Sequence, residues 1–292
     1  MTSGREEASA PTRASGTFVI GGELSVHRLG FGAMRLPGVR VESRNPSAAR
    51  EILREAVRFG VDLIDTAQAY GRSEEMIAEA LHPYPEELVI ATKGGLGRGG
   101  LPDGRPERLR ADCEGSLRRL RLDTIDLWQL HRIDPEIPLE DQFGAIRNLR
   151  DEGKIRFVGV SEVSLAELDR ARQLIDVVTV QNRFNLGDQA ADDVLRACEE
   201  EGIGFIPWAP IAMGHLLGSP GALGSVAARH GATQAQIAVA WLLDRSPVML
   251  PIPGTGSLEH LRENLNAALI EFSENDLLDL ERDAKQSGRP PL

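Results

Sequence analysis

"AAREILREAVRFGVDLIDTAQAYG", residues 48–71, contains one full unit of the pattern that runs through this chain. Ala48–Phe59 has helical periodicity, and Val61, Leu63 and Ile64 then read as a buried strand. That strand ends on Asp65, and Tyr70, one of two tyrosines in the chain, follows five positions later. What a carboxylate and a scarce phenol do at the end of a buried strand depends on the fold around them.

The same alternation continues in both directions. "TFVIGGELSVHRLGFG" gives two apolar-alternating strands around Gly21-Gly22, a hairpin signal, and leads into a strand near Leu29–Gly32. Downstream, a helix at Glu74–Leu81 precedes "ELVIATK" (87–93), and Pro106–Leu120, its proline suited to a first helical position, precedes "TIDLWQLH" (124–131). Leu139–Asp151 precedes "IRFVGVS" (155–161), and Leu165–Leu174 precedes "VVTVQN" (177–182). Asp192–Glu201 precedes "IGFIPW" (203–208), and Thr233–Leu243 precedes "PVMLPI" (247–252). From Leu29 onward that makes eight strands alternating with helices, each unit long enough for a right-handed crossover. An open doubly wound sheet would use five or six strands and a GxGxxG turn, a spacing that "GFGAMR" lacks. The expected fold is therefore α/β, a (β/α)8 TIM barrel with the hairpin at 17–27 plugging one end and an added C-terminal helix at 273–285.

Bulk properties narrow the class. Of the 292 residues 41% are hydrophobic and 26% charged, mean hydropathy is −0.21, and no apolar run approaches the length of a membrane span. A net charge of −11 repels nucleic acid, and the one basic stripe, "LRRLRL" (117–122), reads as a helix end with solvated arginines. Cys113 and Cys198 lack CxxC spacing, and His82, His215 and His230 lack partners at metal-ligand spacing, so neither a disulfide framework nor a metal is expected. Residues 1–16, polar and without an apolar h-region, read as a disordered tail, which leaves 17–292 as a single domain. Cytoplasm and a monomer are the default expectations.

In a barrel the active site lies at the carboxyl ends of the strands. The sequence puts unusual residues there: Asp65, Lys93, His131, Ser161, Gln181 with Asn182, and Trp208, one strand after another. A free phenol, with a pKa of about 10, gives up its proton reluctantly, but a neighbouring ammonium stabilises the phenolate. Lys93 can supply that field, Asp65 can supply the counter-charge that a poorly hydrated ammonium needs, and His131 can orient a carbonyl oxygen against the phenol. Tyr70 is then the acid. Tyr84, between two prolines, reads as no more than a surface loop, and Trp128 and Trp241 read as packing.

"DLIDTAQAYG", "VIATKGG" and "IDLWQLHRID" resemble the aspartate, tyrosine, lysine and histidine signatures of the aldo-keto reductase superfamily, in family order. The likeness extends from about residue 17 to 285 through "EGKIRFVGVSE", "VQNRFN", "IPWAPIA" and "PIPGTGSLEHLRENL". "EDQFGAIRNLRDEGKIR" and "SLRRLRLDTIDLWQLHRID" are similar to its short bacterial branch, which includes pyridoxal reductases. The resemblance implies hydride transfer from a nicotinamide to a small carbonyl substrate, with Tyr70 as proton donor, Lys93 and Asp65 tuning it, and His131 binding the carbonyl. It also implies that Ser161 and Gln181 hold the carboxamide and that Trp208 stacks on the nicotinamide. Trp208–Gly214, with Pro210 and Ile211, would follow the pyrophosphate, and Met34 and Ile252 would add contacts. Gly254, Thr255, Gly256, His260, Glu263 and Asn264 would face the adenosine end.

Three positions, in two segments, depart from common family patterns. Glu162 stands where many members have Asn, so the carboxamide contact there would be made by a carboxylate accepting the amide N–H, and Gly254 and His260 stand where many have Lys and Arg, although Thr255, Ser257 and the following helix N-terminus can still receive a phosphate. NADP(H) is expected ahead of NAD(H). Two rival functions remain at this level: a lyase using Lys93 as a Schiff-base nucleophile, and a non-catalytic nicotinamide sensor.

Overall fold

The computed structural model describes residues 10–39, 46–210 and 221–286. The hairpin forms as expected. β1 (Thr17–Ile20) pairs antiparallel with β2 (Leu24–His27), and Gly21 and Gly22 take φ of 60° and 76° in the turn, a region costly for any residue with a Cβ. Ile20 and Val26 are buried in one apolar cluster with Leu63, Val89, Leu127, Val178 and Leu250 from the barrel interior. The hairpin thus closes the barrel floor by burying its own apolar face against the lower layer of side chains.

The wall is a parallel sheet in chain order: β3 (Phe31–Gly32), β4 (Leu63–Asp65), β5 (Val89–Gly94), β6 (Ile125–Leu130), β7 (Ile155–Ser161), β8 (Val177–Gln181) and β9 (Gly204–Phe205). The eighth expected strand completes the circle without forming a regular ladder. Val248 O accepts from Phe205 N–H (2.8 Å), Phe205 O accepts from Leu250 N–H (2.7 Å), and Pro251 O accepts from Gly30 N–H (2.9 Å). Pro247, Pro251 and Pro253 in this segment have no amide hydrogen to give, which explains why pairing here is sparse.

Ten helices are described: α1 (Pro46–Arg58), α2 (Ser73–Leu81), α3 (Pro106–Leu120), α4 (Leu139–Asp151), α5 (Leu165–Leu174), α6 (Asp192–Glu201), α7 (Ala222–His230), α8 (Gln234–Arg245), α9 (Leu258–Asn266) and α10 (Glu274–Gln286). α3 to α6 keep the boundaries read from periodicity. Capping boxes at Ser164–Glu167 and Thr233–Gln236 fix the starts of α5 and α8. α7 is the one helix in this series without a counterpart in the alternating pattern read from the sequence; it is short, bounded by Gly221 and Gly231, and buries only Leu223, Val226 and Ala227.

Three expectations need correction. The tail reading of 1–16 fails for its second half: Pro11–Ser15 form a 3-10 helix with Pro11, Thr12 and Ser15 buried, while residues 1–9 lie outside the described residues. Thr12 Oγ1 donates to Phe59 O (3.0 Å) and Ser15 Oγ accepts from Leu29 N–H (3.2 Å), so this short turn is tied to the barrel by polar side chains that carry no hydrophobic signal. Tyr84 is no free surface residue either. Its hydroxyl donates to Leu120 O (2.6 Å), and burial raises its pKa. In the stripe at 117–122, Arg119 Nε lies 2.6 Å from Oε2 of the buried Glu74, so one of those arginines serves the fold and not the solvent.

The closing seam is set by two glycines. A Cβ on Gly254 would stand 2.4 Å from Gly32 O, and one on Gly32 would stand 2.6 Å from Ile252 O. Gly254 is thus a steric requirement of this backbone, where a lysine would not fit. Gly254→Ala should destabilise the protein by about 1–3 kcal/mol through this overpacking, read as a lower urea midpoint with an unchanged slope.

Candidate active site

Sheet register brings the strand-end residues together. Asp65 is opposite Ala91 and Lys93 is opposite Gln129 in the parallel ladder, so β4, β5 and β6 deliver adjacent side chains to the same rim. Lys93 has no exposed surface and Asp65 only 2%. Lys93 Nζ donates to Asp65 Oδ1 (2.6 Å) and to Thr66 O (2.8 Å), which leaves one N–H uncommitted. Asp65 Oδ2 accepts from Gln181 Nε2 (2.9 Å) and Gln129 Nε2 (3.2 Å). Both ions are therefore paired and hydrogen-bonded, the condition under which such a buried pair is tolerated.

Tyr70 completes the group. Its ring centroid is 5.2 Å from Lys93 Nζ, and His131 meets the ring edge-on at 5.8 Å with an interplanar angle of 82°. His131 N–H donates to Gly94 O (2.9 Å), locking the end of β6 to that of β5. Burial, then the charges of Lys93 and Arg132, push the His131 imidazole down to about 2, so the ring is neutral and keeps one N–H to donate. The nearly enclosed, doubly committed amine of Lys93 suits an electrostatic role and leaves no approach for a Schiff-base reaction.

A cavity of about 1450 Å³ opens above these residues. That exceeds the roughly 300–1,000 Å³ of a common ligand pocket and leaves space for a dinucleotide and a second small molecule. Asp65, Tyr70, His131, Ser161, Gln181, Trp208 and Pro210 line it, as do Met34, Ile252, Gly254, Thr255, Gly256, His260, Glu263 and Asn264. Ile211 and Gly214 lie outside the described residues. Glu162 does not line the cavity: at φ 56° its carboxylate accepts from Arg183 N–H (2.8 Å) and from the Trp208 indole N–H, so it orients Trp208 from behind. Asn182, at the end of the same strand as Gln181, is spent on Val163, donating to its carbonyl (2.7 Å) and accepting from its amide (3.1 Å).

Residues 28–282 match the model of the aldo/keto reductase family. The chain belongs to the aldo/keto reductase family. It is 44% identical over 288 residues to an uncharacterized oxidoreductase of Schizosaccharomyces pombe, covering 95% of this chain and 94% of that protein. Pyridoxine 4-dehydrogenase of Escherichia coli is 38% identical over 282 residues, covering 92% of this chain and 98% of the relative. Among solved structures, an aldo-keto reductase of Klebsiella pneumoniae in complex with NADPH superimposes with a TM-score of 0.80 at 28% identity, covering 91% of this chain and 94% of the other. Like that reductase, this chain is an α/β barrel.

Reading the chain for strand-end residues of this family misses several groups that line or support the site. Gln129 sits two residues before His131 on the same face of β6, a polar residue inside an apolar run, and that placement is its sequence signal. Arg98, Arg108 and Arg132 line the cavity but carry no signal beyond lying in the loops that follow β5 and β6 or at the start of α3. Among the described residues no group of three or more His, Cys, Asp or Glu side chains is placed to hold a metal ion, and no helix is long and apolar enough to cross a membrane.

The depressed His131 pKa has a signed consequence for stability. Its contribution is fully present above the unfolded value of about 6.5 and is lost as pH falls below it, at up to about 1.4 kcal/mol per pH unit, because the unfolded chain takes up a proton that the folded site refuses. Nitrogen chemical shifts of the imidazole should stay those of the neutral ring from pH 8 down to about 4. A His131→Asn variant should show a shallower loss of stability across that interval.

Proposed function

We propose that this protein is an NADP(H)-dependent reductase of aldehydes and ketones in which Tyr70 donates the proton that completes the alcohol. The buried ammonium of Lys93, held by Asp65 and Thr66 beside the Tyr70 ring, is the observation that carries this reading. A phenol that loses its proton builds negative charge on oxygen, and a fixed cation in a water-poor site stabilises that charge without reorganising. Neutral His131 donates a hydrogen bond to the carbonyl oxygen and holds it within reach of Tyr70.

The cavity fits a nicotinamide dinucleotide. Ser161 and Gln181 offer polar groups on the cavity wall, Trp208 offers an aromatic face held in place by Glu162, and Gly32 and Gly254 line the cavity with bare backbone. When bound, the nicotinamide supplies the hydride. In this arrangement Gln181 donates its amide N–H to Asp65 and keeps its carbonyl oxygen for a carboxamide. At the far end Thr255 Oγ1 accepts from Ser257 N–H (3.1 Å) and Ser257 Oγ caps α9, an N-terminus suited to a phosphate. NADP(H) is proposed over NAD(H) on this N-terminus and on the NADPH bound in the Klebsiella relative. The similarity to pyridoxine 4-dehydrogenase supports a pyridoxal-like or small aromatic aldehyde as the class of substrate.

Titration with NADPH and with NADH, followed by tryptophan fluorescence, tests the cofactor. Trp208 should be quenched by NADPH at lower concentration than by NADH, and a response to neither would remove the assignment. Tyr70→Phe should lower kcat with 4-nitrobenzaldehyde by roughly 10²–10⁴-fold while NADPH affinity stays within about twofold; turnover retained near the wild-type rate would exclude Tyr70 as the donor.

A further inference from the structure

Besides Arg35, three arginines line the cavity that Tyr70 and His131 also line: Arg98, Arg108 and Arg132. They come from the segments that follow two neighbouring strands, β5 and β6. Arg108 is built into place. Its Nη2 donates to Leu96 O (2.8 Å) and its Nε is 3.0 Å from Oδ1 of Asp112, a buried carboxylate whose Oδ2 accepts from Gly95 N–H (2.9 Å). Nη1 of Arg108 has no partner among the described residues. Arg132 is fixed in the same way, with Nη1 donating to His131 O (2.7 Å) and to Ser161 Oγ (3.3 Å). Arg98 rises from the glycine loop after β5 and has no ion-pair partner among the described residues.

Asp112 offsets Arg108 from behind, but among the described residues no carboxylate pairs with Arg98 or Arg132. Of the acidic residues that line the cavity, Asp65 is matched by Lys93, and Glu263 is on α9 beside His260 and Asn264, at the end assigned above to adenosine. In a chain of net charge −11 this is a local exception of opposite sign. Guanidinium groups held by backbone carbonyls present forked donors in fixed directions, the geometry that recognises carboxylate and phosphate oxygens. A positive mouth on an acidic protein also concentrates anions at the one place where they are useful.

We propose that the physiological carbonyl substrate carries an anionic group, a carboxylate or a phosphate, received by Arg98 and Arg108 at the exit of β5. This rests on the reductase reading above, and it places the anion on the wall opposite Trp208 and Gly254–Asn264. Were the arginines instead meant for the nucleotide, their loss would weaken NADPH binding and leave substrate choice alone.

Steady-state kinetics at saturating NADPH with two matched pairs, 4-formylbenzoate against 4-nitrobenzaldehyde and glyceraldehyde 3-phosphate against glyceraldehyde, separates these outcomes and the two anions. In at least one pair the charged member should have a kcat/KM about tenfold or more above the neutral one, an advantage that shrinks in about 0.5 M NaCl. Arg98→Gln with Arg108→Gln should cut that ratio by about tenfold through KM, and each single variant should cut it by less. Wild-type protein with no anion advantage in either pair overturns the proposal, as does a double variant that keeps the ratio but loses NADPH affinity. If no aldehyde is turned over, the reductase reading fails separately. Calorimetry of 4-(hydroxymethyl)benzoate against 4-nitrobenzyl alcohol then decides the anion site: preference for the carboxylate supports it and equal binding removes it.

Discussion

The structure is organised around one buried ion pair. Lys93 and Asp65 sit on neighbouring strands with essentially no exposure, and such a pair is tolerated only where further hydrogen bonds support both ions. The barrel meets that condition with partners from across its circumference: Thr66 just past the end of β4, Gln129 on β6 and Gln181 on β8. Asp65 therefore links opposite walls, and its carboxylate fixes the relative height of four strands as well as the position of the amine. Tyr70 and His131 take their places against that fixed charge. The geometry of the candidate site and the register of the upper barrel are in this sense a single constraint.

Much of this was visible in the chain because the strand ends are local events. An apolar run that stops on Asp65, Lys93 or His131 announces both the strand and the odd residue at its mouth, and eight such units leave few folds to consider. What stayed hidden depends on distant partners. Gln129 reads as one polar interruption until register places it opposite Lys93. Glu162 reads as a cofactor contact until a left-handed backbone turns its carboxylate toward Trp208. The buried turn at Pro11–Ser15 is held by hydroxyls and carbonyls, which leave no hydrophobic pattern to detect. Gly254 looks like a missing cation in the sequence, and only the approach of Gly32 O shows that no side chain fits there.

The cavity is built from two kinds of material. Its floor and the wall carrying Ser161 and Gln181 belong to strands whose backbone is fixed by the sheet, and Trp208 is bridged to Arg183 just past β8. The side carrying Arg98 and Arg108 is loop and first helical turn, anchored by Asp112 but free of the sheet's register. Loops tolerate change more readily than the strands that support them. On the proposed function, the hydride chemistry and the choice of substrate would lie in different parts of the molecule, so that one could alter without disturbing the other.

The sparse eighth wall has a thermodynamic counterpart. Prolines at 251 and 253 contribute no amide hydrogens, so few hydrogen bonds hold the last wall to the first, and this join is where the cylinder can part at least cost. Its two lips, Gly32 and Gly254, both face the cavity. A nucleotide spanning them would lace the join shut, so that occupancy of the site and integrity of the barrel become linked equilibria, each strengthening the other.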